Sequence, residues 1–305
     1  MHVLKLVFLA LLVLGALTRT AAAPPAGTLN SFEGTVRVNG APLQPLNSRA
    51  QTLEVGRVLK TDQGMAELLL VPGAFLRLGE RSALTFEAIG TTDVRARLDS
   101  GEALVEVIAL PGPIVLEQDG VRAVIRKPGL YEFDQKHSMI SVYGGEAQFS
   151  KGGYQTIVGQ GFSVSSRHLR KYAVSPTPGD PLFSWSKVRS EELSDESAAS
   201  AQTFPGGAGS WRSPDWYRIP WADSYTFLSA SGTVAGPFGW PYFSPGYTPN
   251  AIPMHPSGDL YLYGPPVPAN PITAPQRSVS PGPGTSPYTV PLTAPGVPRF
   301  PKNRQ

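Results

Sequence analysis

The chain has 305 residues, a formal net charge of +3 and no cysteine. Without cysteine it has no disulfide framework, thiolate metal site, thiol catalysis or lipid-modified N-terminal cysteine. Its 32 glycines and 32 prolines make up about a fifth of the residues, against a usual share of about 12%. No segment forms a basic domain, so nucleic acid is not an expected partner.

The first residues have the layout of a secretory signal peptide. Lys5 precedes a largely apolar run over residues 6–17, and small residues follow up to Ala23. The run is shorter than the roughly 20 residues that a transmembrane helix needs. We therefore predict a signal peptide over residues 1–22, no membrane span after its cleavage, and a periplasmic or extracellular location. The alternative is a chain anchored by an uncleaved N-terminal helix.

Residues 28–172 alternate between apolar and polar side chains almost throughout. Phe75-Leu76-Arg77-Leu78 and Val94-Arg95-Ala96-Arg97-Leu98 are typical, and Gly-containing turns separate such segments at intervals near ten residues. This pattern predicts an all-β domain of many short strands, either a β-sandwich, a barrel or a short β-solenoid. The segment also contains two similar Gly-Glu-Ala turns, at Gly101 and Gly145, which favour a structural repeat.

The β segment resembles the periplasmic domain of FecR family proteins. The resemblance rests on residues 56–70 (GRVLKTDQGMAELLL), on residues 72–84 (PGAFLRLGERSAL) and on the strand from Leu98 to Val107 with its Gly-Glu-Ala turn. It covers residues 34 to about 165. It implies a FecR-like β fold, an envelope location and a binding role.

Family members of the best-known type signal between an outer-membrane receptor and a cytoplasmic sigma factor. Only five residues precede the apolar run here, too few to hold a sigma factor, so the anti-sigma role is not expected to carry over. The resemblance instead implies an exported, non-enzymatic protein that binds or scaffolds in the periplasm or cell envelope. The alternative is a periplasmic accessory or sensor component of sigma factor/TonB receptor signalling.

A helix is predicted over residues 180–201. Asp180 is a candidate N-cap, and Pro181 suits the first helical position. Residues at about helical spacing are expected to face the protein, namely Leu182, Trp185, Val188 or Arg189, and Leu193. The carboxylates are expected on the solvent-exposed face of the helix, namely Glu191, Glu192, Asp195 and Glu196.

The remaining chain is rich in proline and aromatic residues. Residues 205–305 contain 21 prolines and 15 aromatic residues, a density that favours irregular extended structure. We predict a Pro/aromatic-rich extension over residues 205–263 and a disordered Pro-rich tail over residues 264–305. The aromatic block resembles that of FecR-domain proteins common in Acidobacteria.

The aromatic residues of this extension are the candidate partner-binding residues. Rings held between Pro and Gly are stiff platforms for an envelope protein or a cell-wall polysaccharide. The alternative is that they fold back and cover the β domain. The candidates are Trp211, Trp216, Tyr217, Trp221, Tyr225, Phe227, Phe238, Trp240, Tyr242 and Phe243.

The sequence indicates no catalytic residue, no cofactor and no metal site. Its four histidines are spread along the chain without ligand spacing, and no nucleophile elbow, phosphate loop or dinucleotide fingerprint is present. Strand residues such as Glu67, Arg77 and Glu102 are interpreted as a solvated face. A polysaccharide-active enzyme with paired carboxylates remains the minor alternative.

Overall fold

The computed structural model describes residues 24–44, 51–90, 92–174, 179–206, 208–219, 221–222 and 224–247. The predicted signal peptide and Pro-rich tail lie outside these residues, as does the extension beyond residue 247. All described residues belong to one compact unit. Among them, no helix is long and apolar enough to cross a membrane.

The fold is mostly β, with one helix in the described part of the chain. The main sheet contains β1 (Thr28–Val38), β2 (Ala41–Pro42), β3 (Val58–Leu69), β4 (Ala74–Leu78), β5 (Ala83–Ile89), β6 (Val94–Ser100), β7 (Glu102–Val107), β8 (Ile114–Gln118), β9 (Val121–Ile125), β10 (Gly129–Asp134), β11 (Met139–Val142), β12 (Glu146–Lys151), β13 (Tyr154–Gly159), β14 (Phe162–Ser165) and β15 (Lys171–Ala173). The later elements are helix α1 (Pro181–Thr203) and strands β16 (Asp215–Arg218), β17 (Tyr225–Leu228), β18 (Thr233–Ala235) and β19 (Pro241–Phe243).

The main sheet is nearly closed on itself. Its strand order is β13-β12-β9-β8-β6-β5-β3-β4-β7-β10-β11-β14-β15, and β1 adds to β3 and carries β2. The β6–β8 pair is parallel, whereas neighbours such as β4 and β7 are antiparallel. The alternating apolar residues point inward and form one core, which includes Leu76, Phe86, Val105, Phe133 and Phe149.

The two Gly-Glu-Ala turns require glycine for the same reason. Gly101 and Gly145 have φ values of +81° and +82°, in the left-handed region that favours glycine. A Cβ on Gly101 would lie 2.2 Å from Ser82 Oγ, and a Cβ on Gly145 would lie 2.2 Å from Tyr131 Oη. Both turns therefore combine a left-handed backbone with a close approach from a neighbouring strand.

Helix α1 covers the outer face of β4 and β7. Asp180 is its N-cap, since the Asp180 side chain accepts a hydrogen bond from Phe183 N at 2.9 Å. Of the predicted face, Leu182 and Leu193 are buried, whereas Val188 is 52% exposed. Most of the other buried positions are serines. The buried helical residues are Leu182, Ser186, Ser190, Leu193, Ser194, Ser197, Ala198, Ser200 and Ala201.

The extension also differs from the predicted irregular structure. It contains two antiparallel hairpins, β16–β17 and β18–β19. Most of its described prolines lie outside the strands, and Pro241 begins a strand in a two-stranded hairpin. A strand that pairs on one side only can accommodate the missing proline N–H. Together α1, β16–β17 and β18–β19 form a cap over the main sheet, hereafter the cap.

Candidate functional site

The structure buries half of the ten candidate aromatic side chains. Trp216, Phe227, Phe238, Tyr242 and Phe243 are at most 5% exposed. Four of these rings pack against residues of the β domain, as in the alternative in which the extension folds back, and Phe243 packs against the helix and Leu228 instead. The partly buried candidates are Trp211, Tyr217, Tyr225 and Trp240. Trp221 is 58% exposed, and for it the partner-binding role stays a prediction.

The buried rings attach the cap to the sheet. Trp216 of β16 meets Phe75 of β4 edge to face, with ring centroids 5.0 Å apart. The ring centroid of Phe227 lies 6.3 Å from that of Trp216 and 6.0 Å from that of Tyr242. These side chains form a second apolar core between the sheet and the cap. Aromatic pairs of this kind add about 0.5–1.5 kcal/mol each beyond the area they bury.

A network of buried charges lies in the same interface. Arg77 donates from Nε to Glu67 Oε2 at 2.8 Å and from Nη1 to Glu106 Oε2 at 2.7 Å. All three side chains are fully buried. From helix α1, Arg189 Nη2 reaches Glu67 Oε1 at 3.0 Å, and Ser190 Oγ donates to Glu106 Oε1 at 2.7 Å.

The network extends into both ends of the described chain. Asn30 of β1 donates to Glu67 Oε1 at 2.9 Å and to the Tyr225 carbonyl at 3.0 Å. It also accepts from Tyr225 N at 2.7 Å. Tyr242 Oη lies 3.3 Å from Ser190 Oγ. Strands β1, β3, β4 and β7, helix α1 and both cap hairpins thus meet around one set of charges.

The pKa values of the two carboxylates in the network are shifted in opposite directions from the ordinary value of a glutamate. Burial alone would raise the pKa of Glu67, but Arg189, Arg77 and the Asn30 amide outweigh burial and hold that pKa below its usual value. Burial raises the pKa of Glu106, in spite of Arg77 and Ser190. Glu67 is therefore the firmly ionised member, held between two guanidinium groups.

The interpretation of Glu67 and Arg77 as solvated strand residues was wrong. They point to the outer face of the sheet, as their alternation requires, but the cap covers that face. The signal that could have found them is the sequence of the helix itself. A run of serines at helical spacing places small hydroxyl side chains where charged groups need hydrogen-bond partners.

A group of acidic residues surrounds the start of α1. Glu132 of β10 is 8% exposed, and its carboxyl accepts a hydrogen bond from Tyr143 Oη. Burial raises the pKa of Glu132 to about 8, and Asp180, Asp134 and Glu102 add to the shift. The carboxyl of Glu132 therefore holds its proton to a higher pH than an exposed glutamate does.

Glu102, Asp134 and His137 lie next to this carboxyl. Each offers an atom that could ligate a cation, and these atoms lie within 4.8 Å of one another. The sequence missed this grouping because its members come from β7, from β10 and from the turn after β10. Glu102 also lines a cavity of about 430 Å³ beside Lys136 and Leu182.

The hairpin β14–β15, with its turn, forms an exposed basic surface over residues 162–173, hereafter the basic hairpin. Its exposed cations are Arg167, Arg170 and Lys171, and its exposed rings are Phe162 at 40% and Tyr172 at 39%. Lys171 Nζ lies 3.9 Å from the Phe162 ring centroid, and the guanidinium carbon of Arg170 lies 5.8 Å from the Tyr172 ring centroid.

Sequence reasoning did not single out the basic hairpin, although a signal was present. Residues 152–179 contain no Asp or Glu. The larger segment 24–204 has a net charge of −2, so a stretch with three cations and no acid departs from its surroundings.

No protein-family model matches this chain, and comparison with curated proteins found no match. Among solved structures, the chain is similar to two crystal structures described as a "putative anti-sigma factor" from Parabacteroides distasonis ATCC 8503. The identity is 10% in both, and the TM-scores are 0.33 and 0.32. The matches cover 43% and 44% of this chain, and the chain spans 64% and 62% of the two structures, less than two thirds of their length. A likeness at this level does not extend to function.

Proposed function

We propose that this is an exported, non-enzymatic protein of the FecR type that binds or scaffolds in the periplasm or cell envelope. The signal-peptide layout of residues 1–22 and the FecR-type resemblance of residues 34–165 support the location and the class. The main sheet and the cap are joined through the buried charges and together present one surface.

The observation that carries the binding role is the basic hairpin. Once the cap has packed its aromatic rings against the sheet, the hairpin still exposes two rings together with Arg167, Arg170 and Lys171. Exposed aromatic residues and arginine are enriched at protein interfaces. Through β14 the hairpin pairs with β11, so the main sheet sets its position.

Export is tested by expressing the full chain in a bacterium with two membranes and fractionating the cells. We expect a mature protein in the periplasm or envelope whose N-terminal residue is Ala23. A Leu12→Arg variant, which breaks the apolar run, should stay in the cytoplasm. Recovery of the unaltered chain from the cytoplasm would contradict the proposal.

Binding is tested on washed envelope from the same cells. We expect the mature protein to be retained and a variant with Arg167→Glu, Arg170→Glu and Lys171→Glu to be released. A variant with Arg95→Glu, Arg97→Glu and Arg122→Glu carries the same charge change on other strands and should still be retained. Equal retention of the two variants would contradict a binding role of the basic hairpin.

A further inference from the structure

The outer strand of the basic hairpin ends the main sheet. β15 pairs with β14 in the register Phe162–Ala173, Ser163–Tyr172 and Val164–Lys171. In the described part of the chain, no strand pairs with its other side. All three residues of β15 are exposed.

The backbone of β15 offers hydrogen-bonding groups to a further strand. Ser165 N donates to the Arg170 carbonyl at 2.9 Å, and Val174 N donates to the Gly161 carbonyl at 3.0 Å. Since residues of an antiparallel strand alternate in the direction of their peptide groups, those of Lys171 and Ala173 face away from β14. A peptide in an extended conformation matches this alternation of N–H and C=O groups.

The side chains around this edge are positively charged on both faces of the sheet. Arg170 and Tyr172 share one face, and Lys171 lies on the other, since successive side chains alternate. The exposed turn adds Arg167, which donates from Nε to Ser138 Oγ at 3.1 Å. An added strand places its own side chains alternately on the two faces, so acidic residues on either face of that strand would meet a cation.

We infer that the basic hairpin binds an acidic, extended segment of a partner protein, which adds to β15 as a further strand of the main sheet. This inference rests on the proposed function and names the class of partner. The backbone of β15 supplies the hydrogen bonds, and the three cations select acidic residues.

A second copy of this chain fits the same edge poorly. Two copies of β15 paired across a two-fold axis would place the two basic hairpins side by side, and like charges across a strand pair are destabilising. Short strands that carry lysine also resist pairing with neutral strands. Its positive charges therefore disfavour pairing of β15 with a second copy of β15 or with a neutral strand. An acidic strand would neutralise those charges.

The probe is a fluorescent, acetylated peptide of repeating Val-Glu-Thr-Asp units, titrated into the mature full-length chain. Two matched peptides serve as controls, one with Gln and Asn in place of the acids and one with N-methyl groups on alternate peptide bonds. We expect each control to bind at least about tenfold more weakly. Equal binding of the neutral or the N-methylated peptide would overturn the inference.

Two substitutions test the same surface from the protein side. Lys171→Glu should weaken peptide binding at least about tenfold, and Arg126→Glu on an exposed position elsewhere should leave it unchanged. Ala173→Pro keeps every charge but removes an outward N–H, and should also weaken binding. Unchanged affinity in a folded Ala173→Pro variant would overturn strand addition. If that variant fails to fold, the N-methylated peptide decides.

Other anionic partners are separate outcomes. Binding of polygalacturonate or of phosphatidylglycerol vesicles, without binding of the acidic peptide, would overturn the inference and assign the surface to a glycan or a membrane. Failure of the peptide while the protein is still retained on envelope would reject strand addition and leave the proposed function standing. Failure of export would reject the proposed function whatever the peptide does.

Discussion

Arg77 is the residue on which the buried interface depends most. Its guanidinium joins two fully buried carboxylates and lies 5.4 Å from the Phe75 ring centroid. Sequence alternation correctly assigned its direction, away from the main core. It could not assign the environment. Whether an outward-pointing residue is exposed to solvent depends on the segments that pack over it, and here these lie more than a hundred residues later in the chain.

Replacing Arg77 should be severely destabilising. Arg77→Met leaves Glu67 and Glu106 buried without their shared cation, a change that costs about 3–5 kcal/mol of unfolding free energy. Chemical denaturation of the purified chain measures the loss. The control is Arg97→Met, which breaks the exposed pairs with Glu87 and Asp99 and should cost at most about 1 kcal/mol. Equal effects of the two changes would contradict the buried network.

Glu132 makes stability depend on pH. Its pKa rises from 4.5 in the unfolded chain to about 8 in the folded one. Between these pH values the folded state binds more protons than the unfolded state. The contribution of Glu132 to the free energy of unfolding therefore decreases as pH rises, and it levels off above pH 8.

Glu132→Gln should remove this contribution. The amide keeps a partner for Tyr143 but cannot ionise, so unfolding free energy should fall less steeply between about pH 5 and pH 8 than in the unaltered chain. Some slope should remain, because burial also raises the pKa of Glu196, to about 7. Denaturation curves at several pH values give both slopes, and parallel slopes would count against the assignment.

At the scale of the elements, helix α1 is held by hydroxyl groups as well as by apolar contacts. Ser197 Oγ donates to the Phe227 carbonyl at 2.9 Å and accepts from Phe243 N at 3.0 Å. It thereby joins α1 to both cap hairpins. The N-cap at Asp180 and Pro181 was readable from sequence, since capping is local. The serine positions of the buried face were not, because serines carry little hydropathic signal and their burial depends on the partners they find.

Ser197→Ala should destabilise the protein by about 1–3 kcal/mol, since it leaves a buried carbonyl and a buried N–H without a partner. Ser184→Ala on the exposed side of the same helix is the matched control and should change stability little. Thermal unfolding of both variants tests this. A larger loss for the Ser184 variant would show that the serine face does not support the cap.

The described part of the chain is one β body covered by the cap. The alternation of residues 28–172 predicted the β class, which is confirmed, because that signal comes from local periodicity. The choice between a sandwich, a barrel and a short solenoid was left open, and the structure is a nearly closed single sheet. Strand order could not be derived, since it depends on pairings such as the parallel β6–β8 contact between distant segments.

We predict that the main sheet depends on the cap for its stability. The direct test is the unfolding midpoint of the mature chain compared with that of a chain ending at Ser210, which lacks Trp216, Phe227 and Tyr242. Removal of these rings uncovers Phe75 and opens the buried charges to water, so we predict a midpoint lower by about 10 °C or more. An unchanged midpoint and an unchanged width of the transition would contradict this prediction, because the sheet would then be stable without its cap.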